Sequence, residues 1–315
     1  MRGPRLLSLV IAAFPLAVMT TAKGAPSRTV TAAAASFATP PELEVCADPN
    51  DLPFSNRRRE GFENKVIEIV ARDLHMRVRY IWWAQRRGFI RKTLNASQCD
   101  VWPGIATGID QAATTHPYYR STYVFVTRKK SHLDGLTLDD PRLRKATIGV
   151  QMIGNDATNT PPAHAIASRG ITSNVRGYMV YGDYGRPDPS AAIIEALERG
   201  HIDVALVWGP LAGYYAHGSR VPLELEPVTP ARDPRWPMSF DISMGVRRNN
   251  GVLLDRINTA LDHERPVIEA ILERYHVPLE SLRTWNGTAS EEPSAKCSVM
   301  DTVSPRDGAG CMSMR

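Results

Sequence analysis

The side chains able to do chemistry are sparse and, for the most part, wrongly spaced for catalysis. The eight histidines are scattered without metal-ligand spacing. No Gly-x-Ser-x-Gly elbow, Walker loop or dinucleotide-binding loop occurs. Asp48, Glu60, Glu63 and Asp183 can each supply a carboxylate, but their spacing fixes no acid/base pair. What remains is recognition chemistry. Arg57, Arg58 and Arg59 form one basic run and Arg86 and Arg87 a second. Such runs are either solvated surface or a face for electrostatic docking onto an acidic partner, which speeds association and weakens with salt. Trp82, Trp83 and Trp208 either pack in the core with one indole partly exposed, or line a cleft that takes a small apolar guest. The Thr/Asn-rich loop from Gly154 to Pro162 either caps its own helix or holds an anion on free N–H groups.

Two of these groups hang on one stretch, Leu43 to Phe62. Leu43, Val45, Cys46 and Ala47 form the short apolar run of a buried parallel strand, which Asp48, Pro49 and Asn50 stop. After the loop, Phe62, Val66, Ile69, Val70 and Asp73 follow helical spacing. A strand, a long polar loop and a helix make the first half of a βαβ unit. Ligands and partners of open α/β sheets meet the crevice beyond the carboxyl ends of the strands, which places Asp48 to Glu60 on the functional face.

The chain of 315 residues, 43% hydrophobic, is long enough for two domains and is not generally disordered. Arg2 and Arg5, the apolar Leu6 to Met19 and the small residues around Ala22-Lys23-Gly24 read as a secretory signal peptide over 1–25, with an uncleaved anchor as the alternative. The apolar run falls short of the roughly 20 residues a bilayer needs, so no membrane span is expected after cleavage. Losing Arg2, Arg5 and Lys23 takes the formal charge from +5 to +2, too mild for a nucleic-acid partner without a basic stripe. Four cysteines in an exported chain favour disulfides. In a sheet wound 2-1-3, Cys46 on the first strand and Cys99 just ahead of the third are neighbours, so these two are expected to pair. Cys297 and Cys311 lie in a Ser/Pro/Gly-rich tail that offers no geometry for a pairing.

Further strands are expected at Val78 to Trp82, Val101 to Gly104 and Thr122 to Thr127, with Gly88 to Leu94 a short helix and Ile105 to Thr115 loop and turn. Arg128 to Lys145 reads as a charged linker with little to bury. A second α/β series follows, with strands at Thr147 to Val150, Val175 to Val180 and Val204 to Trp208. Its helices are expected over Ala163 to Arg169, Ser190 to Arg199 and from Pro210 to His217. Phe240 to Val246 alternates like a strand, and two amphipathic helices close the fold, over Leu253 to Leu261 and Pro266 to Tyr275. Strands on either side of the second series suit two α/β lobes joined by two crossover strands, able to close about a hinge. Lobe 1 comprises 42–123 and 241–286, lobe 2 comprises 124–240, and 287–315 is a tail expected to be disordered.

The chain resembles the type II periplasmic solute-binding proteins of the amino-acid-receptor kind. The resemblance rests on Ala47-Asp48-Pro49, Gly61-Phe62-Glu63-Asn64, Cys99-Asp100-Val101, Pro117-Tyr118-Tyr119, the segment from Gly200 to Ala205 and that from Pro210 to Tyr215. More narrowly, CADPNDLPFSN, YIWWAQRRGFIRKTL, PYYRSTYVFVTR, IGNDATNTPPAHA, YGDY and VWGPLAGYYA are similar to the MxaJ/XoxJ family, the periplasmic partners of PQQ-dependent methanol dehydrogenases. That resemblance implies a periplasmic, non-enzymatic role in methanol oxidation by contact with the dehydrogenase, in maturation, cofactor loading or activation, and no cofactor of its own. The residues expected to face the crevice are Asp48, Asn50, Phe54, Trp82, Trp83, Thr107, Tyr118, Tyr119, Asn159, Thr160, Asp183, Tyr184 and Trp208. The wider receptor family grips a ligand carboxylate with an arginine near the place of Gly108, yet Gly104 to His116 holds no arginine or lysine. It grips the ammonium with an aspartate where Trp208 stands. A zwitterion thus loses both partners, each worth about 2 to 5 kcal/mol when buried. Two alternatives remain: the binding component of an ABC transporter for a small non-amino-acid solute, and a cyclohexadienyl dehydratase-like enzyme.

Overall fold

Short apolar runs alternating with amphipathic helices build the sheet from its centre outward. The computed structural model describes residues 40–153, 159–180 and 184–282. The signal segment, the tail with Cys297 and Cys311, and Asp183 lie outside the described residues. The chain runs β1 (Glu42–Ala47), β2 (Asn50–Asp51), β3 (Ser55–Asn56), α1 (Phe62–Asp73), β4 (Arg77–Trp82), α2 (Phe89–Lys92), β5 (Val101–Ala106), β6 (Ala113–Thr114) and β7 (Tyr119–Arg128). It continues through β8 (Ile148–Met152), α3 (Pro161–Ser168), β9 (Val175–Met179), α4 (Ala192–Glu198), β10 (Val204–Trp208), α5 (Gly209–His217) and β11 (Leu223–Pro227). It closes with β12 (Ser239–Val246), α6 (Gly251–His263) and α7 (Arg265–Arg274).

The sheet order is β4-β1-β5-β12-β7-β10-β8-β9, with β11 beside β7 and β6 beside β12. This is a type II periplasmic-binding-protein arrangement, with two α/β lobes meeting at two crossover strands. β7 pairs with β12 through Tyr119–Thr122 and with β10 through Tyr123–Thr127, so one strand serves both halves. β12 in turn pairs with β5 through Ile242–Val246. The 2-1-3 order β4-β1-β5 is the expected one, and it sets Cys46 and Cys99 side by side in a disulfide with Cα atoms 5.6 Å apart.

Helix α1 follows the sequence closely. Phe62, Val66, Ile67 and Val70 are fully buried on its inner face. Its start is fixed by Asn64, whose side-chain oxygen accepts from the Gly61 and Asn56 N–H groups at 3.2 and 3.1 Å. A Cβ on Gly61 would lie 2.0 Å from the Phe54 carbonyl oxygen, so only glycine fits. Truncating a fully buried phenylalanine such as Phe62 costs about 3 to 5 kcal/mol.

Two expectations are corrected. Val101 to Gly104 extends to Ala106, and the expected loop after it contains β6, because pairing with β12 satisfies backbone that the sequence gives few apolar anchors. The segment from Arg128 to Lys145 is no bare linker, since Leu136, Leu138 and Leu143 are at most 2% exposed and pin it to the core. β11, unassigned from the sequence although Leu223, Glu224, Leu225 and Glu226 alternate with the period of a strand, pairs antiparallel with β7 from Leu223 to Pro227.

Candidate functional site

The loop after β1 folds around its own first residue. Asp48, 1% exposed, donates its N–H to Ser55 Oγ at 3.1 Å, and Ser55 Oγ donates back to the Asp48 carbonyl at 3.0 Å. A buried carboxylate needs donors on its oxygens. Asp48 Oδ1 accepts from the Asn50 N–H at 2.8 Å, and Oδ2 accepts from the Gln85 N–H at 2.6 Å and from the Tyr184 hydroxyl at 2.6 Å. The last bond crosses between the two halves of the molecule. Burial first, and then the Asp48 carboxylate, hold the Tyr184 phenol far above its ordinary range, so it remains a donor.

Three more bonds make the same crossing. Asn50 Nδ2 donates to the Arg186 carbonyl at 2.9 Å, Ser190 Oγ donates to Asp51 Oδ1 at 2.9 Å, and the Tyr215 hydroxyl donates to the Leu52 carbonyl at 3.1 Å. Burial, followed by Asp188 and Asp51, keeps Tyr215 protonated as well. The loop that the sequence marks for ligand contact is therefore held by residues 184–190 and α5 of its own chain.

A second tie lies beyond α7. The Tyr275 hydroxyl donates to the Glu60 carbonyl, and its ring stacks on Tyr214 at 5.8 Å. Helix α5 meets this segment through glycine: a Cβ on Gly213 would fall 1.9 Å from the His276 carbonyl oxygen. Ser121 Oγ donates to the Pro278 carbonyl at 2.6 Å, the Glu280 N–H donates to the Arg120 carbonyl at 3.0 Å, and Arg120 pairs with Asp241 and Glu280. Residues 275–280 thus grip α5 and the crossover strand β7 together.

The expected crevice residues separate into groups. Asp48, Asn50 and Tyr184 come together in the first tie. Phe54, Tyr118, Tyr119 and Trp208 are at most 5% exposed and belong to the core rather than to an open cleft wall. Phe54 packs edge-on against Phe62, the Tyr118 hydroxyl donates to the Pro103 carbonyl, and Trp208 packs against Tyr123 and Phe240. The aromatic lining built from Trp82, Trp83 and Trp208 is therefore not assembled, because Trp208 turns into the crossover layer. Thr107 hydrogen-bonds Ser243 Oγ at 2.7 Å and the Asp241 carbonyl at 3.0 Å on β12. Asn159 accepts from the Ile153 N–H at 3.0 Å, and Thr160 Oγ1 donates to the Gln151 carbonyl at 2.6 Å, so both serve the entry to α3.

The arginines lie elsewhere. Arg57 stands 5.9 Å over Trp82, Arg59 stands 5.3 Å over Tyr80, and those two rings stack at 4.6 Å. Arg58 pairs with Glu60 at 2.7 Å. Arg86 lies 5.4 Å over Tyr184, and Arg87 is exposed. Asp51, Gln85, Arg186, Ser190 and Tyr215 went unmarked by the sequence, since bonds spanning up to 163 positions leave no local signal. Among the described residues, one group has the donors for a metal, Asp73 with His263 and Glu264, and there His263 Nδ1 already lies 2.7 Å from Asp73 Oδ1.

This architecture defines a periplasmic binding protein, and solved structures agree. XoxJ from Methylobacterium extorquens AM1 is 37% identical with a TM-score of 0.62, covering 76% of this chain and 100% of that one. MxaJ from Methlophaga aminisulfidivorans MPT is 26% identical with a TM-score of 0.64 over the same shares. Among curated proteins, Protein MoxJ of Methylorubrum extorquens is 30% identical over 289 residues, 87% of this chain and 94% of that protein. No protein-family model matches the chain. The chain belongs to the MoxJ family, of the MxaJ/XoxJ type.

Proposed function

We propose that the chain is a periplasmic, non-enzymatic accessory protein of a PQQ-dependent methanol dehydrogenase, acting in methanol oxidation by direct protein contact. The contact serves maturation, cofactor loading or activation of the dehydrogenase. Lobe 1 is 42–123 with 241–286 and lobe 2 is 124–240. One observation carries the reading: Asp48, at the head of the ligand-contact loop, is saturated by the chain itself. Four hydrogen bonds join that loop to the other half. At about 1 kcal/mol each, opening them costs about 4 kcal/mol, which would weaken any solute that needs an open cleft by about a thousandfold. A fixed, closed body instead presents constant surfaces to a macromolecule. Affinity capture from the periplasm of methanol-grown cells tests the proposal. Recovery of the dehydrogenase supports it. Micromolar binding of a small metabolite with no dehydrogenase recovered overturns it.

A second reading keeps the transporter role. Tyr184 stands between the Asp48 carboxylate and the Arg86 guanidinium. If Tyr184 swung out, a carboxylate and a guanidinium would face the vacated place, and a small neutral solute offering a donor to the one and an acceptor to the other would suit them. Saturable binding of such a solute by the wild type, weakened by Asp48→Asn, would support this reading; binding by Tyr184→Ala with none by the wild type would overturn it.

A further inference from the structure

We propose that the Arg57/Arg59 face of β4 is a preorganised carboxylate-binding surface that docks an acidic patch of a partner protein. The inference rests on the accessory reading and supplies its contact surface. Three observations carry it. Tyr80 and Trp82, two residues apart on β4 and hence on one face of the strand, stack at 4.6 Å with planes 15° apart. The guanidinium of Arg59 lies over the first ring at 5.3 Å and that of Arg57 over the second at 5.9 Å, so two cations are held on two aromatic supports. β4 is also the terminal strand of the sheet order, which leaves this end of the molecule without a neighbouring strand among the described residues.

A place over an aromatic ring changes what these arginines can do. A free arginine loses much rotamer freedom when it binds, whereas one already laid on a ring has lost part of it beforehand. A guanidinium lying on an aromatic face keeps its N–H edge clear, and that edge matches a carboxylate in a two-point fork. Arg77 and Arg79 on the same strand pair with Glu42 and Glu44, and Arg58 with Glu60, whereas Arg57 and Arg59 stand over the two rings of this face. Trp83, 42% exposed and next in the chain, adds the kind of aromatic anchor that contact surfaces favour. Charge complementarity fixes the occupant as carboxylate-rich; a phosphate-rich occupant is a test outcome.

The test uses the mature chain against immobilised poly-L-glutamate, with inorganic polyphosphate of matched charge as the phosphate control, and in a second arm against the methanol dehydrogenase of the same host. Arg57→Glu with Arg59→Glu is expected to weaken poly-glutamate binding at least about tenfold, and binding should fall with added salt. Arg57→Lys with Arg59→Lys keeps the charge but loses the two-point guanidinium fork, and is expected to lose about half of that effect on a logarithmic scale. Lysine variants that bind as well as the wild type, charge reversal without effect, or preference for polyphosphate would each overturn the proposal. Dehydrogenase binding that charge reversal leaves intact overturns this face while the accessory reading stands. Loss of wild-type dehydrogenase binding overturns the accessory reading, and the poly-glutamate arm still decides the face. Unchanged circular dichroism shows that the variants are folded.

Discussion

The Tyr184 hydroxyl donates to Asp48 Oδ2 at 2.6 Å, joining residues 136 positions apart. The bond sits at the carboxyl end of β1, where folds of this kind meet their ligands. It gives a buried carboxylate its third donor, beside the Gln85 and Asn50 N–H groups. A receptor would leave such a group waiting for a ligand. Here the chain supplies the partner.

Removing that hydroxyl should therefore be felt in stability. Tyr184→Phe deletes one charge-assisted hydrogen bond to a buried acceptor and is expected to lower the unfolding free energy by about 2 kcal/mol in urea titration. A change below about 0.3 kcal/mol would mean that Asp48 does not depend on Tyr184.

Gly213→Ala is a sharper test of the tie beyond α7. Its new Cβ would fall 1.9 Å from the His276 carbonyl oxygen, which is backbone and has little room to move. A loss of about 1 to 3 kcal/mol is expected from overpacking, seen as a lowered Tm. Gly135→Ala, with nothing within 4 Å but a φ of +65°, is the control for backbone conformation alone.

The Cys46–Cys99 bridge closes a separation of 53 residues. On the chain-entropy account a loop of that length stabilises by about 4 kcal/mol, so Cys46→Ala with Cys99→Ala should lower the urea midpoint accordingly. An unchanged midpoint would show that the reduced chain keeps the two strands together in the unfolded ensemble.

His263 gives a pH dependence whose sign follows from its partner. Hydrogen bonding and charge from Asp73 raise its pKa above the ordinary histidine value. The pair's contribution is therefore fully present below the unfolded-state pKa and is lost as pH rises through the raised one. Histidine NMR titration should show the raised value in the wild type and a return towards the ordinary one in Asp73→Asn. Equal values in both proteins would contradict the pairing.

Much of this fold was legible because the relevant signals are local. The run Leu43 to Ala47, the polar stop at Asp48 and the spacing of Phe62, Val66 and Val70 specify strand, loop and helix within about 30 residues. The 2-1-3 order then brings Cys46 beside Cys99. The site was less legible because its bonds are distant in sequence. Tyr215 finds the Leu52 carbonyl across 163 positions, and Ser190 finds Asp51 across 139. Trp208 is ambiguous in the sequence for a related reason: an apolar residue at a strand end suits a cleft wall as well as a core, and its packing on Tyr123 and Phe240 is not a local signal. Leu136, Leu138 and Leu143 were hidden among charges, with no period to reveal which way they turn.

An accessory protein of this kind must recognise a protein rather than a solute. Titration of the mature chain with purified methanol dehydrogenase of the same host, followed calorimetrically at two salt concentrations, tests that most directly. Saturable binding that weakens as salt is raised is the predicted result. No heat with the dehydrogenase, together with saturable heat from a small metabolite of the periplasm, would contradict it.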